Sequence, residues 1–310
     1  LELSKLGSIL GSFLRVFGLS IAARIDNCKV CRGTKNPRTY RAGSVKTSIL
    51  ERNHINILGN GTQTIIFAHG FGSDQTAWRH QVAAFAPNYR IVLFDHVGAG
   101  KSDFSAYSPH RYSSLYSYAE DLLEICHELK LTNCILVGHS VSGMISLLAA
   151  LIDPSCFSQL IFVGASPRYL NDVGYVGGFN QSDLDALYGA MSANYYAWVS
   201  GFASMVMGNP ERPELATEFA NTLTAIRPDI AQAVARVIFQ SDHRDELPRL
   251  RVPTLILQAS DDIAVPLQVG QYMADNIPES QLININARGH LPHLSAPDTV
   301  TQSIAASVFS

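Results

Sequence analysis

The residue best placed to do chemistry is Ser140, at the centre of the run Gly138-His139-Ser140-Val141-Ser142-Gly143. An apolar β-type run, 134–138, precedes it, and an apolar helical pattern, 142–151, follows almost without a loop. A serine in so sharp a strand-to-helix turn needs small neighbours two positions away. Gly138 meets this need, and Ser142 stands where Gly is commonest, with Gly143 one place later. The turn would hold the hydroxyl at a helix N-terminus, where the dipole favours developing negative charge, so it predicts a nucleophile.

A serine hydroxyl is a weak nucleophile unless a histidine accepts its proton and an acid orients that histidine. Both are found downstream, in the order Ser, acid, His. Asp261-Asp262 follows the apolar run 254–258, and Gly289-His290-Leu-Pro-His293 follows the run 281–285. Both positions lie just past the carboxyl ends of expected strands, where parallel sheets hold their sites. Asp262 and His290 are the favoured acid and base, and the spacing leaves Asp261 and His293 open as alternatives.

A glycine-rich turn, His69-Gly70-Phe71-Gly72, ends the expected strand 64–69. Glycines there allow backbone N–H groups to face a pocket, and a tetrahedral oxyanion needs two such donors. The N–H of Phe71 and the N–H of Val141, the residue after the serine, are the expected oxyanion hole. His69 and His139 belong to the same two turns and are predicted to contact the substrate.

Short apolar runs alternate with helical patterns from about residue 48 onward, and several runs are apolar on both faces, as in parallel strands covered by helices. This alternation predicts an α/β fold with a mostly parallel, doubly wound sheet. The expected strands are 55–58, 64–69, 90–95, 134–138, 160–164, 254–258 and 281–285. The expected helices of this part are 74–85, 112–129, 142–151, 269–276 and 298–309.

The alternation fails between residues 167 and 242, where four helical patterns carry many large aromatic residues. Helices inserted between two strands must pack somewhere, and the carboxyl edge of the sheet is the natural place. We therefore predict a helical cap, 167–242, on a core formed by 47–166 and 243–310. Trp198 and Phe202, one helical turn apart, are predicted to wall an apolar substrate pocket. The expected cap helices are 181–191, 194–207, 213–224 and 229–239.

Composition and short motifs argue against several other functions. With 16% charged residues and a net charge of −3, the chain has no sign of a nucleic-acid surface. The run Gly98-Ala-Gly100-Lys101-Ser102 looks like a phosphate-binding loop, but that motif requires Gly at position 95, where Asp95 stands. Cys28-Lys-Val-Cys31 lacks the second ligand pair of a structural zinc site, so no metal and no cofactor is expected. Five further histidines are predicted to lie at the surface: His54, His80, His110, His127 and His243.

Residues 1–46 differ in kind from the rest. They hold nine Lys or Arg against two acidic residues, a charge of +7, which leaves −10 for the remainder of a chain whose total is −3. The apolar segment 6–23 is interrupted by Arg15, so a signal or anchor and a disordered extension both stay open, the extension being favoured. The five cysteines are odd in number and three lie in apolar runs, which favours buried free thiols and a cytoplasmic location. A monomer is expected.

At these motifs the sequence resembles the RsbQ group of α/β-hydrolases, which includes the bacterial stress-response regulator RsbQ and the plant strigolactone and karrikin receptors. The resemblance covers roughly residues 48–310 and includes Ser166-Pro-x-Tyr169-Leu-Asn-Asp172, Asn194-Tyr-x-x-Trp198-x-x-Gly-Phe202 and Phe239-x-Ser-Asp242. It implies an α/β-hydrolase fold with a four-helix, V-shaped cap over a deep apolar pocket. It also implies the triad Ser140, Asp262 and His290, Phe71 at the pocket mouth, and Trp198 and Phe202 within the cap.

Members of this group are slow hydrolases that often act as sensors, and RsbQ works with a PAS-domain serine phosphatase. The triad and the resemblance together predict a serine hydrolase that cleaves an ester or lactone of a small hydrophobic molecule through an acyl-serine intermediate, with a link to RsbQ-like stress signalling. The alternative is a receptor that binds a small hydrophobic ligand, turns it over once or not at all, and signals to a protein partner through its cap.

Overall fold

The computed structural model describes residues 48–308, and the predicted basic extension, 1–46, lies outside the described residues. The described part begins with a short helix, α1 (Ile49–Arg52), which a capping box fixes. Ser48 accepts the N–H of Glu51, and the Glu51 carboxylate accepts the N–H of Ser48. No helix within residues 48–308 is long and apolar enough to cross a membrane.

Seven strands form one sheet: β1 (Asn56–Leu58), β2 (Thr64–Ala68), β3 (Arg90–Leu93), β4 (Cys134–His139), β5 (Phe157–Val163), β6 (Thr254–Asp261) and β7 (Ser280–Arg288). Their order is β1-β3-β2-β4-β5-β6-β7. β1 runs antiparallel to β3, and all other neighbours are parallel. The central strands β2 and β4 are buried along their whole length, as their apolar sequences require.

Helices pack on both faces of the sheet, so the predicted doubly wound arrangement is confirmed. On one face, α2 (Arg79–Phe85) and α11 (Pro297–Val308) close a core with Trp78, Phe85 and Ile304. The other face is covered by α3 (Leu115–Glu128), α4 (Val141–Ile152) and α9 (Leu267–Asn276). α4 is buried over nearly its whole length, so the helix that follows Ser140 is a rigid support. The helices outside the insertion are α2 (Arg79–Phe85), α3 (Leu115–Glu128), α4 (Val141–Ile152), α9 (Leu267–Asn276), α10 (Pro292–Ser295) and α11 (Pro297–Val308).

Four helices stand between β5 and β6, as predicted: α5 (Gln181–Ala193), α6 (Tyr195–Met207), α7 (Pro213–Thr224) and α8 (Pro228–Gln240). Capping residues and prolines determine where these helices begin and end. Asn194 caps α6 by accepting the N–H of Ala197, and Gly208 ends it in the left-handed conformation, φ 65°. Prolines open α7 and α8, where the missing N–H has no intrahelical partner to lose.

The two connections of this insertion meet at its base. Arg168 and Asp242 form an isolated antiparallel bridge, and their side chains pair at 2.5 Å. The N–H of His243 donates to the carbonyl of Pro167 at 2.8 Å. The guanidinium of Arg244 bonds both Asp242 and Asp172 at 2.8 Å. The four-helix unit therefore enters and leaves the sheet through one cross-linked neck.

Three sequence-based expectations differ from the structure. The helix predicted over 74–85 is a 3-10 turn, Gln75–Trp78, followed by α2. The helix predicted from residue 112 begins at Leu115, because Tyr112 instead turns its hydroxyl onto Asp121 at 2.8 Å. The prediction that His243 lies at the surface is wrong: it is 6% exposed, packed near the ring of Tyr116 at the neck. His80, His110 and His127 are exposed as predicted.

Candidate active site

The structure brings Ser140, His290 and Asp262 into one hydrogen-bonded line. Ser140 Oγ lies 2.8 Å from His290 Nε2, and His290 Nδ1 lies 2.8 Å from Asp262 Oδ2. Ser140 and His290 are buried, and the side chain of Asp262 is fully withdrawn from solvent. With Nδ1 protonated and bonded to the carboxylate, Nε2 is free to accept the serine proton. The arrangement can activate Ser140 as a nucleophile.

The neighbouring carboxylates of Asp261 and Asp262 have different partners. Asp262 Oδ1 accepts the N–H groups of Ala264 and Val265, at 2.9 and 3.1 Å, which leaves Oδ2 for His290. Asp261 is the last residue of β6, is exposed, and faces Arg288 Nε at 3.4 Å. Of the two acids that the spacing left open, Asp262 is the one that reaches the histidine.

Ser140 occupies a strained turn between β4 and α4. Its φ of 56° and ψ of −122° lie in a region that non-glycine residues rarely adopt. A Cβ at Gly138 would lie 2.5 Å from the carbonyl oxygen of Ser142, and a Cβ at Gly70 would lie 2.4 Å from His139 Nδ1. Both positions therefore require glycine, and Ser142 is tolerated because its side chain points elsewhere.

Tyr169 also contacts the nucleophile, which sequence reasoning missed. Its hydroxyl lies 3.2 Å from Ser140 Oγ, and its ring packs against Phe179 and Phe239. Burial raises the pKa of Tyr169 far above its ordinary value, so the phenol stays protonated. It can donate to Ser140 Oγ while the serine proton goes to His290. The residue stood in a quoted family motif, but nothing in its spacing placed it at the serine.

The predicted oxyanion donors lie on the two turns that flank Ser140. The N–H of Val141 is the first of α4, and that of Phe71 follows β2; neither has an acceptor among the described residues. The cap holds the Phe71 turn in place. Thr222 Oγ1 of α7 donates to the carbonyl of Gly72 at 2.7 Å, and a Cβ at Gly72 would meet Phe219 at 3.0 Å.

His69 and His96 form a buried network with Ser142 beneath this turn. His69 Nδ1 donates to the carbonyl of Gly70 at 2.9 Å, and its Nε2 accepts the N–H of His96 at 3.1 Å. Ser142 Oγ donates to the carbonyl of His69 at 2.5 Å and accepts from His96 Nε2 at 2.8 Å. Burial lowers the pKa of His96 well below its ordinary value, so this ring is neutral. Ser142, where glycine is commonest, ties the two turns together.

His139 and His293 lie behind the triad. His139 Nε2 donates to the backbone carbonyl of His290 at 2.8 Å. His293, the other histidine that the spacing left open, is fully buried and stacks on Trp78 at 4.5 Å. Burial lowers its pKa to about 3. Neither of its ring nitrogens has a hydrogen-bond partner within residues 48–308, and it does not reach Ser140.

A mostly apolar cavity opens beside the turn that carries Ser140. Its lining includes His69, Phe71 and Val141 from the core and Ile226, Ile230 and Ile238 from the cap. Trp198 and Phe202 stack on each other at 4.7 Å within the cap and do not line this cavity. His139 does not line it either. The substrate contacts predicted for these three residues stay predictions.

The cap also holds the loop that carries His290. The N–H of His290 donates to the carbonyl of Val206, in the last turn of α6, at 2.8 Å. Asn209 Nδ2 bonds the carbonyl of Arg288 at 2.9 Å. Gly289 has φ 89°, and a Cβ there would lie 1.9 Å from the carbonyl oxygen of Met207. The position of His290 therefore depends on the end of a cap helix.

The loop that resembles a phosphate site is closed by Asp95. Asp95 Oδ2 accepts the N–H of Lys101 at 2.8 Å, and Oδ1 accepts that of Gln75 at 2.9 Å. A Cβ at Gly100 would lie 2.5 Å from the Asp95 carboxyl. The N–H group that a phosphate would need is thus bound to a carboxylate, and the loop serves to brace β3 against β2.

The sheet order, the inserted helices and the serine turn define a hydrolase of the α/β class. Residues 63–297 match the family model of the alpha/beta hydrolase fold, and the chain belongs to that family. Solved structures agree: a hydrolase from Oleispira antarctica superposes with a TM-score of 0.83 at 38% identity, covering 84% of this chain and 96% of that one.

Relatives place the chain more narrowly. It is 46% identical over 251 residues to karrikin insensitive 2 receptor CA of Petunia hybrida, covering 81% of this chain and 93% of that protein. It is 42% identical over 256 residues to strigolactone esterase D14 of Arabidopsis thaliana, covering 82% and 96%. The resemblance to the group that includes the plant strigolactone and karrikin receptors is thereby confirmed.

Proposed function

We propose that the protein is a serine hydrolase that cleaves an ester or lactone of a small hydrophobic molecule through an acyl-serine intermediate. Ser140 Oγ attacks the carbonyl carbon as its proton passes to His290 Nε2, and Asp262 stabilises the imidazolium that forms. The N–H groups of Phe71 and Val141 stabilise the oxyanion. His290 then protonates the leaving alcohol, and water releases the acyl group by the reverse steps. The observation that carries the proposal is the unbroken 2.8 Å and 2.8 Å contacts from Ser140 through His290 to Asp262.

The substrate class follows from the cavity beside the serine. Apolar side chains of core and cap supply most of its wall, so an apolar group gains by leaving water there. The named activities of relatives, an esterase among them, support the same reaction class.

A short-chain nitrophenyl ester tests the proposal. The wild type is expected to release nitrophenol, and Ser140→Ala is expected to lose at least about 10³-fold in rate. Ser204→Ala, at an exposed serine of α6, is the matched control and should retain full activity. Intact-protein mass spectrometry of the quenched reaction should find the acyl group on Ser140. Equal turnover by wild type and Ser140→Ala would rule the proposal out.

A second candidate is a small-molecule receptor that signals through its cap. The receptor names of relatives favour it, and so do the hydrogen bonds that join α6 to the His290 loop and the Thr222 side chain of α7 to the Phe71 turn. A ligand on Ser140 would press on those loops and so bias the cap surface. The sequence resemblance implies a PAS-domain serine phosphatase as partner.

Ligand binding by Ser140→Ala separates the two candidates. A receptor that needs no turnover should keep a ligand-dependent shift in melting temperature and ligand-dependent retention of the phosphatase in this variant. A receptor driven by hydrolysis should retain the phosphatase only as the wild type, and a plain esterase should retain it in neither form, while Ser140→Ala still binds the ligand in both cases. Absence of any ligand-dependent shift or partner in the wild type would eliminate the receptor candidate.

A further inference from the structure

A second cluster of reactive side chains lies far from the triad, at the other edge of the sheet. His127 is in the last turn of α3, and Asp153 and Cys156 bracket the short 3-10 turn (Pro154–Cys156) that leads into β5. This is the amino end of β5, whereas Ser140, Asp262 and His290 all lie at carboxyl ends of strands. The proposed hydrolase site uses none of these residues.

The three side chains converge on one point. His127 Nε2 lies 2.9 Å from Asp153 Oδ2, and Cys156 Sγ lies 3.5 Å from the same oxygen. The three atoms are all within 4.8 Å of one another. Asp153 Oδ1 is occupied, because it accepts the N–H and the hydroxyl of Ser155. That bond fixes the carboxylate so that its second oxygen faces the imidazole and the thiol.

We infer that His127, Asp153 and Cys156 form a zinc-binding site that joins the end of α3 to the start of β5. One thiolate, one imidazole and one carboxylate are the ligand types that Zn²⁺ prefers. Tetrahedral zinc holds such ligand atoms about 3.3–3.8 Å apart. The separation of 3.5 Å between Cys156 and Asp153 lies within this range, and the separation of 2.9 Å between His127 and Asp153 is shorter, so a small rotation of the His127 ring away from the carboxylate completes the geometry.

The three side chains differ in solvent exposure, and the difference would let a metal ion enter from solvent. Cys156 is 2% exposed, whereas the side chains of Asp153 and His127 are 31% and 61% exposed. The thiol forms the floor, the imidazole can swing aside to admit the ion, and water supplies the fourth ligand from the solvent side. The buried Cys126 thiol lies against Cys156 and can donate a hydrogen bond to its thiolate, which is the support that ligating thiolates commonly receive.

Titration of the full-length, chelator-treated protein with Zn²⁺ and with Co²⁺, in the presence of a phosphine reductant that keeps thiols reduced, tests the site. We expect one equivalent of metal, a raised melting temperature, and a thiolate-to-Co²⁺ charge-transfer band. Ester hydrolysis should not change, because the site is on the opposite edge of the sheet from Ser140. Competition from the chain's other cysteine pair is removed in a Cys28→Ser/Cys31→Ser background, where the band should persist.

The deciding variant is His127→Gln, since this exposed side chain can be replaced without disturbing the core. It should weaken metal binding at least about tenfold and abolish the rise in melting temperature. His110→Gln, at an exposed histidine elsewhere, is the matched control and should bind as the wild type does. Cys156→Ser should remove the charge-transfer band. Equal binding by the two glutamine variants, or bound Co²⁺ without a thiolate band, would show an exposed ion pair beside a buried thiol and overturn the inference.

Discussion

At the residue scale, the nucleophile oxygen has two hydrogen-bond partners, His290 Nε2 and the hydroxyl of Tyr169. Tyr169→Phe removes the second and leaves the triad intact. Because the phenol donates to the atom that attacks, we expect kcat/KM for an ester to fall about 2- to 10-fold, the worth of one ordinary hydrogen bond. Tyr175→Phe is the control, since its hydroxyl bonds the carbonyl of Arg168 instead. A lower melting temperature with unchanged kcat/KM would show that Tyr169 only packs.

Also at the residue scale, we expect substitutions of His290 and of His293 to have opposite effects on activity. His293 has no hydrogen-bond partner on either ring nitrogen and stacks on Trp78, so an apolar ring of similar shape should replace it well. We expect His293→Phe to keep kcat/KM within about twofold of the wild type, whereas His290→Gln should lose at least about 10³-fold. Steady-state assays of both variants make the comparison. Comparable losses in the two would contradict the geometry.

At the element scale, the cap helix α6 contacts the loop that carries His290. Gly289→Ala would place a Cβ 1.9 Å from the carbonyl of Met207, in α6, so the loop that carries His290 must move. A displacement of about 1 Å from reactive geometry costs about 100-fold in rate, and we expect a loss of that size in kcat. Gly174→Ala is a matched control, because its φ of 75° is equally left-handed but no atom lies within 4 Å.

Both substitutions force alanine into the left-handed region, at a cost of about 1–2 kcal/mol in stability. Only Gly289→Ala also meets a backbone oxygen. Measured together, melting temperature should therefore fall in both variants, while kcat should fall only in Gly289→Ala. Equal kcat values would mean that the cap does not position the base.

Helix ends that depend on local sequence signals could be predicted, whereas contacts between residues far apart in the sequence could not. The cap helices were located within one or two residues because Asn194, Gly208, Pro213 and Pro228 act on their own neighbours. The triad could be ordered from strand-end positions for the same reason. Tyr169 could not be placed at Ser140, since that contact depends on how the neck of the insertion packs.

The same distinction between local signals and long-range contacts applies to the histidines. His243 was predicted to be at the surface because it belongs to no motif, yet the neck buries it. The group at His127, Asp153 and Cys156 has no motif spacing, because a helix end and a loop bring it together across 26 residues of chain.

At the scale of the whole molecule, several neutral histidines are built into the fold. Burial lowers the pKa of His96, His139 and His293 far enough that these rings do not take up protons when the protein is folded in mildly acidic solution. The unfolded chain does take them up as pH falls below about 6.5. The unfolded state then binds more protons, and the free energy of unfolding decreases.

The size of this effect can be bounded. Each such ring costs about 1.4 kcal/mol at one pH unit below its unfolded pKa, so the three together cost up to about 4 kcal/mol at pH 5.5. His127 acts in the opposite direction, because its hydrogen bond to Asp153 raises its pKa. Its exposure to solvent keeps its contribution to the free energy of unfolding small. Carboxylates with lowered pKa values, such as Asp153 at about 2, act only nearer pH 4 and do not enter this window.

Urea unfolding at pH 7.5 and pH 5.5 measures the loss, and His293→Phe measures one ring's share of it. Removing that ring should shrink the difference between the two pH values by about 1.4 kcal/mol, because one of the protons bound only by the unfolded state is gone. His110→Gln removes an exposed histidine and should leave the difference as it is in the wild type. If the free energy of unfolding were the same at both pH values, these histidines would have to be protonated inside the fold, and a neutral, close-packed support behind Ser140 and His290 could not exist.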